Sequence, residues 1–178
     1  HFTENDIDAV RKGNVIIRTI ADSIIAAVDT TPFCIPSPQF SWGSNCYMLN
    51  NAVVCFYAYK QTGKRKYLNA VIDIVNYIFG NNATGYSFVT GYGERSPLQP
   101  HHRIMGSDDI DDPYPGFLVG GPNSNREDEI SKEPGVYYPF KQPARAYVDA
   151  VAAYASNEVC INWNAALVFV LGCVQMNK

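Results

Sequence analysis

The sequence contains few charged residues, and their balance is slightly acidic. Asp, Glu, Lys and Arg make up 17% of the 178 residues, and the formal net charge is −3 at pH 7. A protein that binds the phosphate backbone of nucleic acid needs a surplus of Lys and Arg, so no nucleic-acid partner is expected. The hydrophobic fraction of 47% is too high for a disordered chain, and the length suits one domain with a sizeable core.

Cysteine is scarce, and its spacing does not favour metal or redox chemistry. No Cys-x-x-Cys pair occurs, which argues against a zinc ribbon and against a redox motif. Most of the cysteines lie in apolar or helical stretches, so we expect buried free thiols. Such thiols are unusual for a protein in an oxidising compartment, which weakens any prediction of secretion. The five residues are Cys34, Cys46, Cys55, Cys160 and Cys173.

Several motifs that mark whole classes of enzyme are absent. The sequence has no Gly-x-Ser-x-Gly nucleophile elbow, no phosphate-binding loop, no His-Glu-x-x-His motif and no dinucleotide-binding fingerprint. It also lacks an uninterrupted apolar run of about 18 residues, a signal peptide and a lipidation motif, so we expect no membrane partner. Because the sequence begins at His1 and not at Met, we expect that an N-terminal portion of the protein is not included.

Hydrophobic periodicity predicts three helices in the first half of the sequence. The first starts at residues 3–6, where Thr-Glu-Asn-Asp resembles a capping box, and extends to about Val28. The second is predicted over residues 44–59, is apolar on most sides and is ended by Gly63. The third, over residues 66–79, has one polar and one apolar face. Helices that alternate between apolar all round and amphipathic are typical of a two-layer helical barrel.

The second half combines an irregular segment with a strongly apolar one. Residues 80–143 hold most of the Gly and Pro with hardly any periodicity, which predicts a long functional loop. Residues 159–174 are apolar on nearly every side, which predicts a helix enclosed by other helices. Asn157 is placed to cap this helix, and Glu158 falls in its first turn. Glu158 could serve only to complement the helix dipole, or it could be a carboxyl group with a shifted pKa.

Two long motifs carry most of the candidate chemistry. In the C-terminal motif, Tyr147-Val-Asp149 is followed by Tyr154, by Glu158 and by Asn164-Ala165. The upstream motif covers residues 87–103 and reads Ser-Phe-Val-Thr-Gly-Tyr-Gly-Glu-Arg-Ser-Pro-Leu-Gln-Pro-His-His-Arg. With Trp-Gly-Ser-Asn at 42–45 and Leu-Val-Gly-Gly-Pro-Asn at 118–123, these motifs resemble glycoside hydrolase family 9, the inverting cellulases. The resemblance covers about residues 40–174, and Cys160 departs from it where the family has a smaller Ala, Thr or Ser.

The resemblance implies a fold and a reaction. It implies an all-α fold, the C-terminal portion of an (α/α)6 barrel with long active-site loops. It also implies hydrolysis of β-1,4-glucosidic bonds in cellulose or related β-glucans with inversion, which needs an acid and a base roughly 6.5–9.5 Å apart. Glu158 matches the general acid of the family, which must keep its proton near neutral pH. Asp149 matches the motif acid that positions the site on extended backbone, although residues 144–155 are Ala-rich and favour a helix.

The same resemblance assigns substrate contacts. His101 matches the residue that lines the subsite where the bond is cut, and it is included with Glu158 and Asp149 in the catalytic group. Adjacent histidines point in different directions, so His101 and His102 are not expected to share a metal ion. The tyrosines and Trp42 could instead be ordinary packing residues. The residues assigned to substrate binding are Arg103, His102, Tyr92 and Tyr154.

No cofactor is expected from the sequence. An acidic cluster could hold a structural calcium ion through oxygen ligands, but its spacing lacks the EF-hand pattern. A solvated acidic loop is therefore the favoured interpretation. The cluster consists of Asp108, Asp109, Asp111 and Asp112.

The catalytic base of the family is not found in this sequence. In the family it is one of two aspartates in an Asp-Ala-Gly-Asp type motif far upstream, and no such motif occurs here. We therefore expect residues 1–178 to be the C-terminal segment of a catalytic domain, inactive alone and partnered by the missing N-terminal part. Alternatives are a non-catalytic carbohydrate-binding barrel and an exo-acting or xyloglucan-specific hydrolase. The family implies a secreted, cell-surface or periplasmic location, against which the odd number of cysteines argues.

Overall fold

The computed structural model describes residues 3–36, 39–107 and 110–177, and every regular element within them is a helix. Extended pairing in these residues is limited to isolated bridges between single residues. None of the described helices combines the length and hydrophobicity needed to cross a membrane. In chain order the helices are α1 (Glu4–Val28), a 3₁₀ turn (Pro32–Cys34), α2 (Ser44–Thr62), α3 (Arg65–Ile78), α4 (Glu127–Ile130), a second 3₁₀ turn (Pro143–Arg145), α5 (Tyr154–Asn157) and α6 (Ile161–Gln175).

The start of α1 is the capping box that the sequence predicts. The Thr3 hydroxyl accepts the Asp6 N–H at 3.3 Å, and the Asp6 carboxylate accepts the Thr3 N–H at 2.8 Å. Both interactions satisfy backbone donors that a helix N-terminus leaves unpaired. The hydrogen bonds from the Thr3 hydroxyl and N–H lower the pKa of Asp6. The predicted end of this helix at Val28 is also confirmed.

Helices α2 and α3 form a hairpin that carries most of the hydrophobic core. Gly63 separates them in a left-handed conformation (φ +67°), and its N–H bonds the Tyr59 carbonyl at 2.7 Å, as expected for a helix end. The predicted amphipathic pattern of α3 is confirmed, since its apolar face is buried. Tyr77 on that face is buried with its hydroxyl group, which has no hydrogen-bond partner in the described part of the chain. Fully buried side chains of the core include Met48, Leu49, Tyr67, Leu68, Val71, Ile74, Tyr77, Ile78 and Phe88.

Helix α6 starts later than the sequence predicts. It begins at Ile161, whereas Asn157 is the last residue of α5 and Glu158 has extended backbone with φ −68° and ψ 147°. The predicted cap at Asn157 and the predicted first-turn position of Glu158 are therefore wrong. Residues 158–159 pair with residues 119–120 through backbone hydrogen bonding, and this pairing keeps the backbone extended before the helix begins.

Helix α6 is enclosed on one side within the described residues. Its buried residues Ala166, Leu167, Val170 and Cys173 lie on one side only. The opposite side is apolar and exposed, with Ile161 and Val168 being 92% and 70% accessible, so the described residues alone do not enclose the helix. The Phe169 ring stacks on Tyr57 of α2 at 6.1 Å, which extends the same surface across two helices. We call this surface the apolar flank and define it as Tyr57, Ile161, Val168, Phe169, Leu171 and Met176.

The long segment between α3 and α4 is irregular, as predicted, but it is anchored to the core. Thr90 N–H bonds the Phe117 carbonyl at 2.9 Å, and Val119 N–H bonds the Phe88 carbonyl at 3.0 Å. Phe88, Leu118 and Val119 join the hydrophobic core, so the two ends of this segment lie against the helices.

Candidate active site

Asp149 fixes the segment that carries the two adjacent histidines. Its Oδ2 accepts the Leu98 N–H at 2.8 Å, and its Oδ1 accepts the Gln99 N–H at 3.0 Å. Charge-assisted hydrogen bonds of this kind are roughly twice as strong as neutral ones, so they hold the loop against Asp149. The backbone around Asp149, at residues 146–150, is not helical, as the family resemblance implies, but helix α5 at Tyr154–Asn157 interrupts the extended segment that was expected to lead into Glu158.

Asn157 is buried and ties the same two segments together a second time. Its Nδ2 donates to the Gln99 carbonyl at 2.6 Å and to Asp149 Oδ1 at 2.9 Å. Its Oδ1 accepts from the Tyr147 hydroxyl at 2.6 Å, and its backbone carbonyl accepts the His101 N–H at 2.8 Å. Burial raises the pKa of Tyr147 well above its ordinary value, so the phenol keeps its proton and remains a donor. The two segments therefore form one hydrogen-bonded unit.

Glu158 follows Asn157 directly and is paired on both sides of its backbone. One side is bridged to His101, and on the other the Glu158 carbonyl accepts the Gly120 N–H at 2.9 Å. The Oε2 atom of Glu158 accepts the indole N–H of Trp42 at 3.1 Å. The side chain is half-buried, and no hydrogen bond to Oε1 is formed within residues 3–36, 39–107 and 110–177. One oxygen of the carboxyl group is thus anchored, and the other is available to a bound molecule.

Trp42, which binds this carboxyl group, belongs to a small cluster of aromatic rings. The Trp42 and Tyr154 ring centroids lie 5.2 Å apart, and the His101 ring lies 6.1 Å from that of Tyr154. Trp42 is 40% exposed, so part of its surface remains open to a ligand. Aromatic side chains with a few placed polar groups are typical of ligand sites. The group formed by Glu158, His101, Trp42 and Tyr154, which we call the recess, therefore has the composition of a ligand site.

The hydrogen bonding of His101 defines which ring nitrogen is available. Its Nδ1 lies 2.6 Å from the Val151 carbonyl oxygen, and because that oxygen can only accept, Nδ1 must carry the proton. Nε2 is then free to accept a hydrogen bond in the neutral form of the ring. A cavity of about 450 Å³, lined in part by Leu98, Gln99 and Val151, lies next to this residue.

Residues 118–123 hold the site onto α2. Gly121 has φ +89°, and a Cβ atom added there would lie 2.4 Å from the side-chain amide carbon of Asn45. Asn45 Nδ2 donates to the Val119 carbonyl at 2.9 Å, and the Gly121 N–H donates to the Ser156 carbonyl at 2.9 Å. A side chain at Gly121 would therefore separate α2 from the backbone that leads into Glu158.

The structure separates the two adjacent histidines, as the sequence predicts. His102 packs against Phe117, with ring centroids 5.7 Å apart, and its Nδ1 accepts the Met105 N–H at 3.4 Å. Arg103 is exposed at the edge of the same loop. The two histidines thus contact different parts of the structure, His102 against Phe117 and His101 against Tyr154.

Tyr92 is a further predicted site residue that makes no contact with the recess among the described residues. It lies on a separate turn and is 54% exposed. In the described chain neither a hydrogen bond nor a ring contact joins it to Glu158 or His101. Tyr137 is likewise exposed, whereas Tyr138 is fully buried.

Trp42 and Asn157 hold the site together, yet the sequence did not assign them these roles. Trp42 belongs to a recognised Trp-Gly-Ser-Asn motif, and this was the only available signal, because its partner Glu158 lies 116 positions further on. Asn157 was interpreted as a helix cap, which the actual start of α6 excludes. Both roles depend on contacts between distant parts of the chain.

The described residues were compared with the arrangement that a metal-binding site requires. No group of three or more His, Cys, Asp or Glu side chains that could hold a metal ion occurs among them. Asp111 and Asp112 are exposed, while Asp108 and Asp109 lie outside the described residues. The expectation that no cofactor is needed, and the alternative of a structural calcium ion, both stay predictions.

The thiol of Cys160 lies two residues from Glu158 and is half-buried. Burial, followed by the negative charge of Glu158, raises the pKa of this thiol. A protonated thiol is a poor nucleophile, so Cys160 is not a candidate nucleophile beside the Glu158 carboxyl group. All five cysteines are free, and burial raises the pKa of Cys55 to about 12. The prediction of buried free thiols is confirmed for Cys46, Cys55 and Cys173.

Comparison with known proteins gives one consistent family. The sequence model of "Glycosyl hydrolase family 9" matches residues 6–171. A xyloglucan-specific endo-β-1,4-glucanase of Bacteroides ovatus is 49% identical over 155 residues, which cover 83% of this chain and 25% of that enzyme. A cellulose 1,4-β-cellobiosidase of Acetivibrio thermocellus is 34% identical over an alignment of 184 residues, which covers 95% of this chain and 20% of that enzyme. The chain thus spans about a quarter of the length of these relatives.

The fold agrees with the sequence match. A solved family 9 structure from Bacteroides ovatus superposes with a TM-score of 0.83 at 41% identity, covering 98% of this chain and 30% of that chain. Such structures are (α/α)6 barrel enzymes, so the helices described above form a portion of that barrel, as the sequence predicts. Because the family's sequence model matches nearly the whole chain and the solved structure shares its fold, the chain belongs to glycosyl hydrolase family 9.

Proposed function

We propose that the longer protein of which this chain is part hydrolyses β-1,4-glucosidic bonds in cellulose or a related β-glucan, with Glu158 as the general acid. The observation that carries this proposal is the setting of the Glu158 carboxyl group. One oxygen is anchored by Trp42, the backbone is bridged to His101, and the other oxygen remains available. A proton donor needs this combination of fixed orientation and access.

Four candidate site residues, Glu158, His101, Arg103 and Asp149, each have a proposed role in the reaction. Glu158 transfers its proton to the glycosidic oxygen as the bond from that oxygen to the anomeric carbon breaks. Water, deprotonated by a base on the opposite face, attacks the anomeric carbon and inverts its configuration. His101 Nε2 accepts a hydrogen bond from a sugar hydroxyl, and Arg103 donates to hydroxyls further along. Asp149 positions the loop of His101 and takes no proton from water.

We propose that the base belongs to an upstream part of the same catalytic domain. The chain spans 25% of its Bacteroides relative, and its recess contains one carboxyl group with an available oxygen, on Glu158. The apolar flank of α2 and α6 is the kind of surface that another part of a domain covers. In this proposal the chain supplies the acid and one side of the cleft, and it is inactive alone.

The names of the relatives suggest a second candidate for the substrate and a second candidate for the mode of action. One relative is a xyloglucan-specific endo-acting enzyme, and another is a cellobiosidase. We therefore propose xyloglucan as a second candidate substrate and release of cellobiose as a second candidate mode of action. Comparing products from xyloglucan and from cello-oligosaccharides distinguishes these possibilities.

We also propose that the protein acts outside the cytoplasm, where its polymeric substrate is found. Three of the five thiols do not oppose this location, because Cys46, Cys55 and Cys173 are buried and burial raises the pKa of each. A buried, protonated thiol reacts slowly with oxidants and disulfides. Cys34 is an exposed free thiol, so in an oxidising compartment it is the cysteine open to oxidation.

The stereochemistry of the product tests the proposed reaction. Cellopentaose incubated with the full-length protein is expected to yield the α-anomer first, because a single displacement inverts the β-linkage. Proton NMR of the anomeric region during the first minutes measures the ratio before mutarotation. Initial formation of the β-anomer would contradict an inverting reaction, and no hydrolysis of any β-glucan would contradict the proposed activity.

Asp149→Asn tests the positioning of the loop. Asn retains one acceptor and places an NH₂ group against a backbone N–H, so at least one hydrogen bond to Leu98 or Gln99 is lost. We expect kcat on cellopentaose to fall by about a hundredfold, since displacements of about 1 Å have effects of this size. The melting temperature should also fall, because loss of an intramolecular hydrogen bond destabilises a protein by about 0.5–1.5 kcal/mol.

Asp22→Asn is the matched control for this prediction. Asp22 likewise accepts more than one hydrogen bond, from Lys66 at 2.6 Å and from Tyr67 at 3.0 Å, but it lies on the exposed face of α1. Its substitution is expected to leave kcat unchanged. If both variants retain full kcat, Asp149 does not position the site.

A further inference from the structure

Asp128 of α4 is a buried carboxylate to which the proposed mechanism gives no role. Its exposure is 0%, and no Lys, Arg or His nitrogen lies within ion-pair distance in the described part of the chain. Its Oδ2 accepts the Ala155 N–H at 2.9 Å, and its Oδ1 accepts the Glu129 N–H at 2.8 Å. A buried charge that is stabilised only by hydrogen bonds depends strongly on each of them.

Tyr138 completes this arrangement. Its side chain is fully buried, and its hydroxyl oxygen lies 3.3 Å from Asp128 Oδ2 and 3.0 Å from Ser156 Oγ. Burial raises the pKa of Tyr138, so the hydroxyl keeps its proton. Asp128 and Tyr138 therefore contact two consecutive residues of α5, one through its backbone and one through its side chain.

The residues they contact lead directly to the candidate acid. Helix α5 ends at Asn157, and Glu158 is the next residue along the chain. Asp149 fixes α5 from the side of the recess through Asn157, at 2.9 Å. Asp128 and Tyr138 fix it through Ala155 and Ser156, so the backbone before Glu158 is held by hydrogen bonds that involve two carboxylates.

We infer that Asp128 and Tyr138 are positioning residues that set the direction of the Glu158 carboxyl group through α5. This inference rests on the proposed function, since it assigns their role in the same reaction. Without the Tyr138 hydroxyl, Ser156 and Asp128 each lose a partner and α5 can shift. The Glu158 carboxyl group then moves relative to Trp42 and His101, and the proton is donated from a less favourable position.

Tyr138→Phe and Asp128→Asn in the full-length protein test this inference. The informative quantity is kcat on two aryl β-cellobiosides, one with a dinitrophenolate leaving group and one with an unsubstituted phenolate. Departure of dinitrophenolate needs no protonation, whereas departure of phenolate depends on the general acid. We expect kcat for the phenyl substrate to fall by about 10- to 100-fold with KM nearly unchanged, and kcat for the dinitrophenyl substrate to change by less than about threefold.

Tyr77→Phe provides the control for loss of a buried hydroxyl. Tyr77 is as buried as Tyr138, but its hydroxyl has no partner among the described residues and it lies in the α3 core. Its substitution should leave the ratio of the two kcat values unchanged. A selective loss on the phenyl substrate in Tyr138→Phe or Asp128→Asn supports the inference.

The results separate failure of the inference from failure of the proposed function. If the wild-type protein hydrolyses both substrates and each folded variant has the kcat ratio of Tyr77→Phe, the inference is wrong. Should Tyr138→Phe not fold, Asp128→Asn, which keeps the side-chain volume, decides the matter by the same ratio. An inactive wild-type protein overturns the proposed function together with any role of these residues in it.

Discussion

Glu158→Gln in the full-length protein is expected to lower kcat on carboxymethyl cellulose by about 10²- to 10⁴-fold, the usual contribution of a general acid. Gln has nearly the same volume and keeps an oxygen that can accept the Trp42 indole N–H. It cannot supply an acidic proton to the leaving oxygen. Substrate affinity should therefore be preserved, and KM should change little while kcat falls.

The leaving group distinguishes loss of the acid from loss of the fold. With a dinitrophenyl β-cellobioside the Glu158→Gln variant should retain most of its activity, because this leaving group departs without protonation. Glu94→Gln makes the same chemical change on an exposed turn and should behave as wild type on both substrates. Undiminished hydrolysis of carboxymethyl cellulose by Glu158→Gln would refute the assignment of the acid.

The helices that the sequence predicts well are those defined by local interactions. The capping box at Thr3 and the left-handed Gly63 act within a few residues, and they mark helix ends that the structure reproduces. The amphipathic pattern of α3 likewise depends only on residues one turn apart. Local chemistry was therefore sufficient to predict the first three helices.

The prediction was wrong where tertiary pairing overrides local preference. Residues 159–160 belong to an apolar run that favours a helix, yet Val159 is bridged to Val119, 40 positions earlier. No periodicity within the run contains this information, because the partner is distant in sequence. The first-turn location of Glu158 was wrong for the same reason, whereas its proximity to His101 followed from the motifs.

The candidate site was predicted mainly from the family resemblance of two motifs and little from physical pattern. The resemblance indicated Glu158, Asp149 and His101, which the structure brings into one hydrogen-bonded unit. It did not indicate that Asp149 binds backbone N–H groups of the other motif. It also did not indicate that Trp42 binds Glu158, since that contact joins the start of α2 to the end of α5.

The exposed apolar flank predicts that this chain assembles with the upstream part of its catalytic domain. This chain alone should have no measurable activity, and co-expression with the upstream part of its parent should restore hydrolysis. Burial of a large apolar side chain contributes about 1.5–3 kcal/mol, so covering the flank supplies on the order of 10 kcal/mol before the entropy of association is subtracted. Association of the two parts should therefore be strong enough to isolate the complex by size-exclusion chromatography.

Val168→Lys tests whether the apolar flank is the surface that binds the upstream part. Val168 is 70% exposed on α6, so Lys should not change the melting temperature of this chain. In the complex the same Lys would be buried without a partner, and the recovered activity should fall by at least about tenfold, because such burial is strongly unfavourable. Ile130→Lys is the matched control, since Ile130 is 68% exposed on α4, outside the apolar flank.

Equal recovery of activity with both variants would show that the flank faces solvent in the complete domain. Recovery lost only with Val168→Lys would mean that the exposed side of α6 becomes an interior surface of the barrel. The apolar circumference of this helix, which burial within the present chain does not explain, would then have its physical reason.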